Sequence, residues 1–383
     1  MLAASPTPVA ENVALADAID RVLAEPVAAV RDQPPFNSSA MDGWAIRGEG
    51  DAFKIVGESA AGHGYRQTLL AGQAVRIFTG APVPPGADRV VIQEEAAREG
   101  GLVRISASDG APTYIRERGL DFRAGVVLLE RGSRMDAWRL SLAASAGRAN
   151  LAVSRRPKVA VLSTGEEIVA AGASPGPDQI FDSATPALIA LIEAWGGDVE
   201  RLPHTGDDAP IIRNTVRSAS SDLIVTLGGA SVGDHDLVKP ALAELGLMLS
   251  VETVRLRPGK PTWFGILGDG RRVLGLPGNP ASALVCAELF LRPLLMAMQG
   301  GDPVLPLVGA RVAKPLSANG PREHWARARL FHRDGGLFVE AMTDQDSSLI
   351  SVFAQAGALI RHPIGSPAVE AGTLVEVLLL DRR

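Results

Sequence analysis

Three short turns carry the residue types that can hold a phosphate. They are Ser163-Thr164-Gly165-Glu166-Glu167, the stretch Gly228-Gly229-Ala230-Ser231-Val232-Gly233-Asp234-His235-Asp236, and Pro277-Gly278-Asn279-Pro280-Ala281-Ser282. Glycine lets backbone come close to a ligand, and free N–H groups at the start of a following helix favour phosphate oxygens. One Gly-rich turn is explained by a tight strand-to-helix connection alone. Three in one region, two of them with acids at the same end, point to a shared site. The acids are Glu166, Glu167, Asp234 and Asp236, and Asp182, Asp207 and Asp208 stand near other expected strand ends or helix starts. Carboxylates beside phosphate-binding backbone suit Mg²⁺, which takes one or two acids plus phosphate and water. Several of these acids must be structural, because Asp182-Ser183 and Asp208 have the type and position of helix N-caps.

Two cationic groups could meet a phosphate or a tetrahedral oxyanion: Arg255-Leu256-Arg257-Pro258-Gly259-Lys260-Pro261, and Arg322 with Arg327 and Arg329. Alternation on a strand puts Arg255 and Arg257 on one face, which a solvated strand would show equally. The histidines His63, His204, His235, His324, His332 and His362 are scattered without zinc-ligand spacing. His235, in the second turn, suits a hydrogen-bonding or surface role. Neither a Ser-His-Asp arrangement nor a G-x-x-x-x-G-K-[ST] loop occurs, so hydrolase and kinase readings lack support. The lone Cys286, inside an apolar run, reads as a buried core thiol.

These residues need elements to position them. From Lys158 onward strands and helices alternate: Val159 to Leu162, Leu223 to Leu227 and Arg272 to Leu276 read as strands, and Thr185-Pro186 opens a helix that Gly196-Gly197 closes. Such alternation implies a doubly wound, mostly parallel sheet, with ligands beyond the carboxyl ends of its strands. The expected fold class is therefore multidomain α/β. The α/β domain spans 151–300, a β-rich insert 37–110, an elongated connecting domain 1–36 and 111–150, and a C-terminal β domain 301–383 with a hairpin turn at Gly335-Gly336. Val13, Ala16, Ile19 and Leu23 recur at helical spacing, so residues 9–25 are expected to be a helix. A second helix is expected from Asp136, its N-cap, to Gly147.

The 383 residues exceed one compact domain. A net charge of −5 without a basic run argues against a nucleic-acid partner, although local loops can still bind a small anion. The N-terminal residues lack the basic-then-apolar pattern of a signal peptide, and Ala281–Met298, interrupted by Glu288 and Arg292, reads as a core helix. A cytoplasmic protein that is not bound to a membrane is expected.

In order along nearly the whole chain, the motifs Pro34 to Ala45 (with Asp42-Gly43), Phe78-Thr79-Gly80-Ala81-Pro82, Arg118-Gly119-Leu120-Asp121, Ser163 to Glu167, Gly228 to Asp236, Pro258-Gly259-Lys260-Pro261 and Gly275 to Pro280 resemble the molybdopterin molybdenumtransferase (MoeA) family, which includes a domain of the scaffold protein gephyrin. The resemblance implies insertion of molybdate into adenylyl-molybdopterin with release of AMP. It implies functional roles for Asp42, Thr79, Asp121, Glu167, Asp208 and Asp236, with Mg²⁺ on Glu167, Asp208 and Asp236. It further implies a pterin–nucleotide pocket at Ser163, Thr164, Gly165, Gly228, Gly229, Ser231, Gly233, Arg257, Lys260, Pro277, Gly278, Asn279 and Pro280. A homodimer whose active site is shared between subunits, and a molybdopterin adenylyltransferase as partner, are also implied. Two alternatives stand beside this reading, molybdopterin adenylyltransferase activity and a non-enzymatic scaffold. The insert bearing Asp42 and Thr79 argues against the first, and the lack of an appended assembly domain against the second.

Overall fold

The computed structural model describes residues 1–106, 112–229 and 237–380. Its central sheet runs in the spatial order Asp198–Arg201, Lys158–Ser163, Leu223–Leu227, Arg272–Leu276, Trp263–Ile266, Met248–Val251. The first four strands are parallel and the last two join through antiparallel pairings, so the sheet is mixed. The sequence reading missed that edge. Trp263–Ile266 returns to Arg272–Leu276 through a tight Asp269-Gly270 turn (Gly270 φ +87°), a hairpin that needs no crossover helix.

Side-chain alternation sorts the sheet into two cores. Val159, Val161, Val225 and Leu274 face the helices Ala184–Ala194 and Pro280–Cys286. Ala160, Leu162, Ile224 and Val273 face Ala209–Ser218 and Val238–Ala243. Helices on both faces make the domain doubly wound. Pro280–Met298 runs as one continuous helix with a π-helical stretch at Ala287–Leu291. It is apolar and long enough to cross a membrane, but 78% of its apolar window is buried inside the protein.

The expected helix over residues 9–25 does not form. Ala10–Ala14 is a strand antiparallel to Asn150–Ser154, followed by a short 3₁₀ turn at Leu15–Asp17. Asp20 takes φ +62°, and Val22 and Leu23 bridge to Arg134 and Val153. Buried Arg21 donates to the Ser154 carbonyl at 2.7 Å. Pairing with a segment far along the chain thus outweighed a helical spacing that would have left the backbone only local partners. Two more ladders, Val27–Ala28 with Val127–Leu129 and Ser38–Ser39 with Ile115–Arg116, bind the same two stretches together. The helix Ala137–Ser145 forms as expected, with Asp136 accepting from Arg139 N at 2.8 Å and Gly147 at φ +85°.

Between those stretches lies a six-stranded sheet around Trp44, Ile46, Phe53, Val91 and Val103. At the C-terminal end, Glu323–Arg333, Gly336–Ala341, Leu307–Val312, Leu374–Leu379 and Ala358–His362 pair in turn, and the last returns to the first. That closes a barrel. Its interior is filled by Ala310, Ala326, Ala328 and Ala358 with Val339, Ile360 and Val377, the small side chains a narrow barrel requires. Leu256–Arg257 pairs in parallel with Glu323–His324, so the Arg257 segment bridges the barrel to the α/β domain.

Candidate active site

The three turns meet at the carboxyl ends of adjacent strands. Thr164 N donates to Leu227 O at 3.1 Å, joining the first turn to the second. Gly228 (φ +88°) lies so close that a Cβ there would stand 2.9 Å from Thr164 Oγ1 and 3.0 Å from Thr164 O. A Cβ at Gly278 would stand 3.6 Å from Gly228 Cα, so the third turn closes on the second. The contact at Gly228 needs glycine, and the three turns leave a cavity of about 630 Å³ lined by Ser163, Thr164, Glu167, Gly228, Gly229 and Pro277 through Pro280. Gly165 sits at φ +121°, and a Cβ on it would collide with the carboxylate of Glu167, which therefore folds over the turn.

His204, just beyond the Asp198–Arg201 strand, holds the first turn in shape. Its Nε2 lies 3.0 Å from the Gly165 carbonyl, which can only accept, so Nε2 carries the proton. Nδ1 then accepts from Ser163 Oγ at 2.8 Å. Sequence reasoning passed over this histidine, although its place at a strand's carboxyl end was the available signal.

A second cavity, about 690 Å³, adjoins the first through shared Pro261, Pro277 and Asn279. Arg257, Lys260 and Arg322 line it, with Asp344 and Asp346 on the same wall. Gly259 (φ +111°) lets the Pro258–Pro261 turn sit directly on buried Cys286, and Thr262 Oγ1 donates to Gly259 O at 2.8 Å. Burial pushes the Cys286 thiol up to about 12, which keeps it a neutral packing group. Burial, reinforced by neighbouring Arg257, lowers His324 to about 4, so this imidazole adds no positive charge at neutral pH. Asn279 does not cap its own helix, and its Nδ2 donates to Ser347 Oγ at 2.9 Å. Ser347 belongs to a barrel loop that no local sequence signal connects to the phosphate turns.

Of the second cationic group only Arg322 lines this cavity. Arg327, which by sequence could have met an anion, is fully buried, donating from Nη2 to Asp346 O (2.9 Å) and from Nη1 to Leu349 O (3.1 Å) to pin the Ser347 loop. Arg329 donates to Gln355 at 3.2 Å, and Arg255 lines neither cavity. Asp208 also lines neither, and its Oδ1 accepts from Ile211 N at 2.8 Å as an N-cap. Asp182 caps the next helix from the cavity wall, accepting from Thr185 N at 3.0 Å. Ser231, Gly233, Asp234, His235 and Asp236 lie outside the described residues. Among the described residues no three His, Cys, Asp or Glu side chains cluster as a metal site.

The other expected residues are held elsewhere. Asp42 Oδ1 accepts from Thr79 N at 2.7 Å and Thr79 Oγ1 at 2.8 Å, and these bonds hold its carboxyl below the ordinary 3.8. Asp121 lines a cavity of about 660 Å³ with Gly80, Arg116 and Pro34. Asp32, unnoticed in the sequence, ties that region together by accepting from Arg118 Nε at 2.5 Å and Ala124 N at 2.8 Å. This cavity shares no lining residue with the other two.

Three family models match successive stretches: the MoeA N-terminal region (domain I and II) over residues 1–147, a probable molybdopterin binding domain over 160–297, and the MoeA C-terminal region (domain IV) over 309–380. The molybdopterin molybdenumtransferase of a Nostoc species is 34% identical, covering 97% of this chain and 88% of that protein. The equally named protein of Synechococcus elongatus is 35% identical, covering 96% and 94%. A solved structure of a molybdopterin biosynthesis MoeA protein from Pyrococcus horikosii superposes with a TM-score of 0.82 at 28% identity, over 99% of this chain and 96% of that one.

Proposed function

Because this chain belongs to the molybdopterin molybdenumtransferase family, we propose that it inserts molybdate into adenylyl-molybdopterin and releases AMP. The observation that carries this reading is the joining of the two cavities at Pro261, Pro277 and Asn279, one walled by phosphate turns and the other by three cations. A nucleotide phosphate and a separate oxyanion thereby become neighbours. Backbone N–H groups of the turns orient the pyrophosphate, while Arg257, Lys260 and Arg322 attract molybdate. Reaction then rests on positioning and on charge already in place, with no covalent intermediate on the enzyme.

Glu167 fits Mg²⁺, since this ion is held by one or two carboxylates completed by phosphate and water, and its carboxylate lies over the Gly165 turn. When bound there the ion neutralises pyrophosphate charge. Asp42, Thr79 and Asp121 belong to the same proposal through a homodimer. None of the three lines either α/β cavity of its own chain, and exposed Phe36 and Leu120, which line the Asp121 cavity, offer apolar surface to a second subunit. The reading is tested by supplying adenylyl-molybdopterin and Mg²⁺ with and without molybdate. AMP should appear only when molybdate is added, and equal release in its absence would refute coupled insertion.

A further inference from the structure

One part of the first cavity's lining is apolar. Ile168, Ile180 and Phe181 line it, and Phe181 is its aromatic side chain among the described residues. Phe181 is 48% exposed and Ile180 58%, large apolar surface left open inside a concave site. The backbone beneath is fixed. Ile168–Val169 pairs in parallel with Ile180–Phe181, Ile180 N donates to Glu167 O at 2.7 Å, and Asp182 N donates to Val169 O at 2.8 Å. Gln179 Nε2 also donates to Glu166 O at 3.2 Å, tying this strap to the phosphate turn. On its other side Phe181 is followed by Asp182, the anchored helix cap.

We propose that Phe181 is the stacking platform for the adenine ring of the nucleotide substrate, an inference that rests on the function proposed above. The order of groups along that substrate selects the ring. The dithiolene must lie toward the cations of the second cavity, the phosphates at the turns, and the adenosine beyond them. Ile168, Ile180 and Phe181 line the first cavity and not the second, which places this wall at the adenosine end. A half-exposed phenyl ring is covered by a purine face without any polar group having to be matched.

The test titrates the full-length protein by calorimetry with AMP and with ribose 5-phosphate, which lacks the base. Phe181→Leu should weaken AMP about five- to tenfold, leave ribose 5-phosphate unchanged and preserve the melting curve. Phe181→Trp should bind AMP at least as tightly as the parent and provides a readout if the leucine variant misfolds. Equal loss of both ligands, or loss of neither, would overturn the platform while leaving the nucleotide site standing. A parent protein that does not prefer AMP to ribose 5-phosphate would overturn the nucleotide reading and the platform with it.

Discussion

Asp42 and Thr79 form a pair whose chemistry depends on ionisation. The folded pKa of Asp42 is depressed, so the stabilisation from its two bonds to Thr79 is complete above the ordinary value of 3.8 and disappears as pH falls through the lower folded value. An NMR titration following the Thr79 amide should therefore show a midpoint below 3.8. Asp42→Asn keeps an oxygen that can accept from Thr79 N, so circular dichroism and melting should match the parent while metal insertion is lost. Retained insertion would remove Asp42 from the reaction. Gly259 poses a steric question instead. Gly259→Ala adds a methyl onto Cys286 Sγ at a positive φ and should destabilise the protein by about 1–3 kcal/mol. Adding Cys286→Ala should recover part of that loss in urea denaturation, because it relieves the overlap but not the φ strain.

The helix Ala209–Ser218 tests what Asp208 does. As an N-cap, Asp208→Ala should cost about 1 kcal/mol of stability, with Asp208→Ser restoring most of it. If Asp208 also binds Mg²⁺, both variants should raise the Mg²⁺ concentration needed for AMP release. An unchanged requirement would leave it a cap and nothing more. The interior of the helix Ala184–Ala194 tests packing. Leu188 and Ile192 are fully buried against the sheet, so Ile192→Ala should cost about 2–5 kcal/mol in denaturant titration with no polar group disturbed.

At the scale of the whole molecule the cavity at Asp121 and those at the phosphate turns are separate within one chain. A two-fold dimer would make them one site. Light scattering at micromolar concentration should then give twice the 40.0 kDa chain mass. Mixing Asp42→Asn with Glu167→Gln subunits after co-refolding should restore roughly a quarter of parental insertion, because each mixed dimer regains one intact site of two. Zero recovery from well-mixed dimers would show that the two residues do not act across an interface.

Much of the α/β domain was legible because its signals are local. Continuous apolar runs in Val159 to Leu162 and Leu223 to Leu227 specify strands buried on both faces, Asp208 and Gly196 mark helix ends, and glycines at Gly165, Gly228 and Gly278 announce close backbone approach. Those turns were found from residue type alone. What only the tertiary structure decided depends on partners remote in the chain. The spacing of Val13, Ala16, Ile19 and Leu23 is helical, yet pairing with Asn150–Ser154 puts Val13 in a strand, Ala16 in a 3₁₀ turn and Leu23 in a lone bridge to Val153. Arg327 and Arg322 look alike in sequence, but one is buried under the Ser347 loop and the other lines a cavity. His204 and Ser347 reach the site through a neighbouring strand and a barrel loop. Residue type states which interactions a side chain is capable of, and long-range packing selects the one it makes.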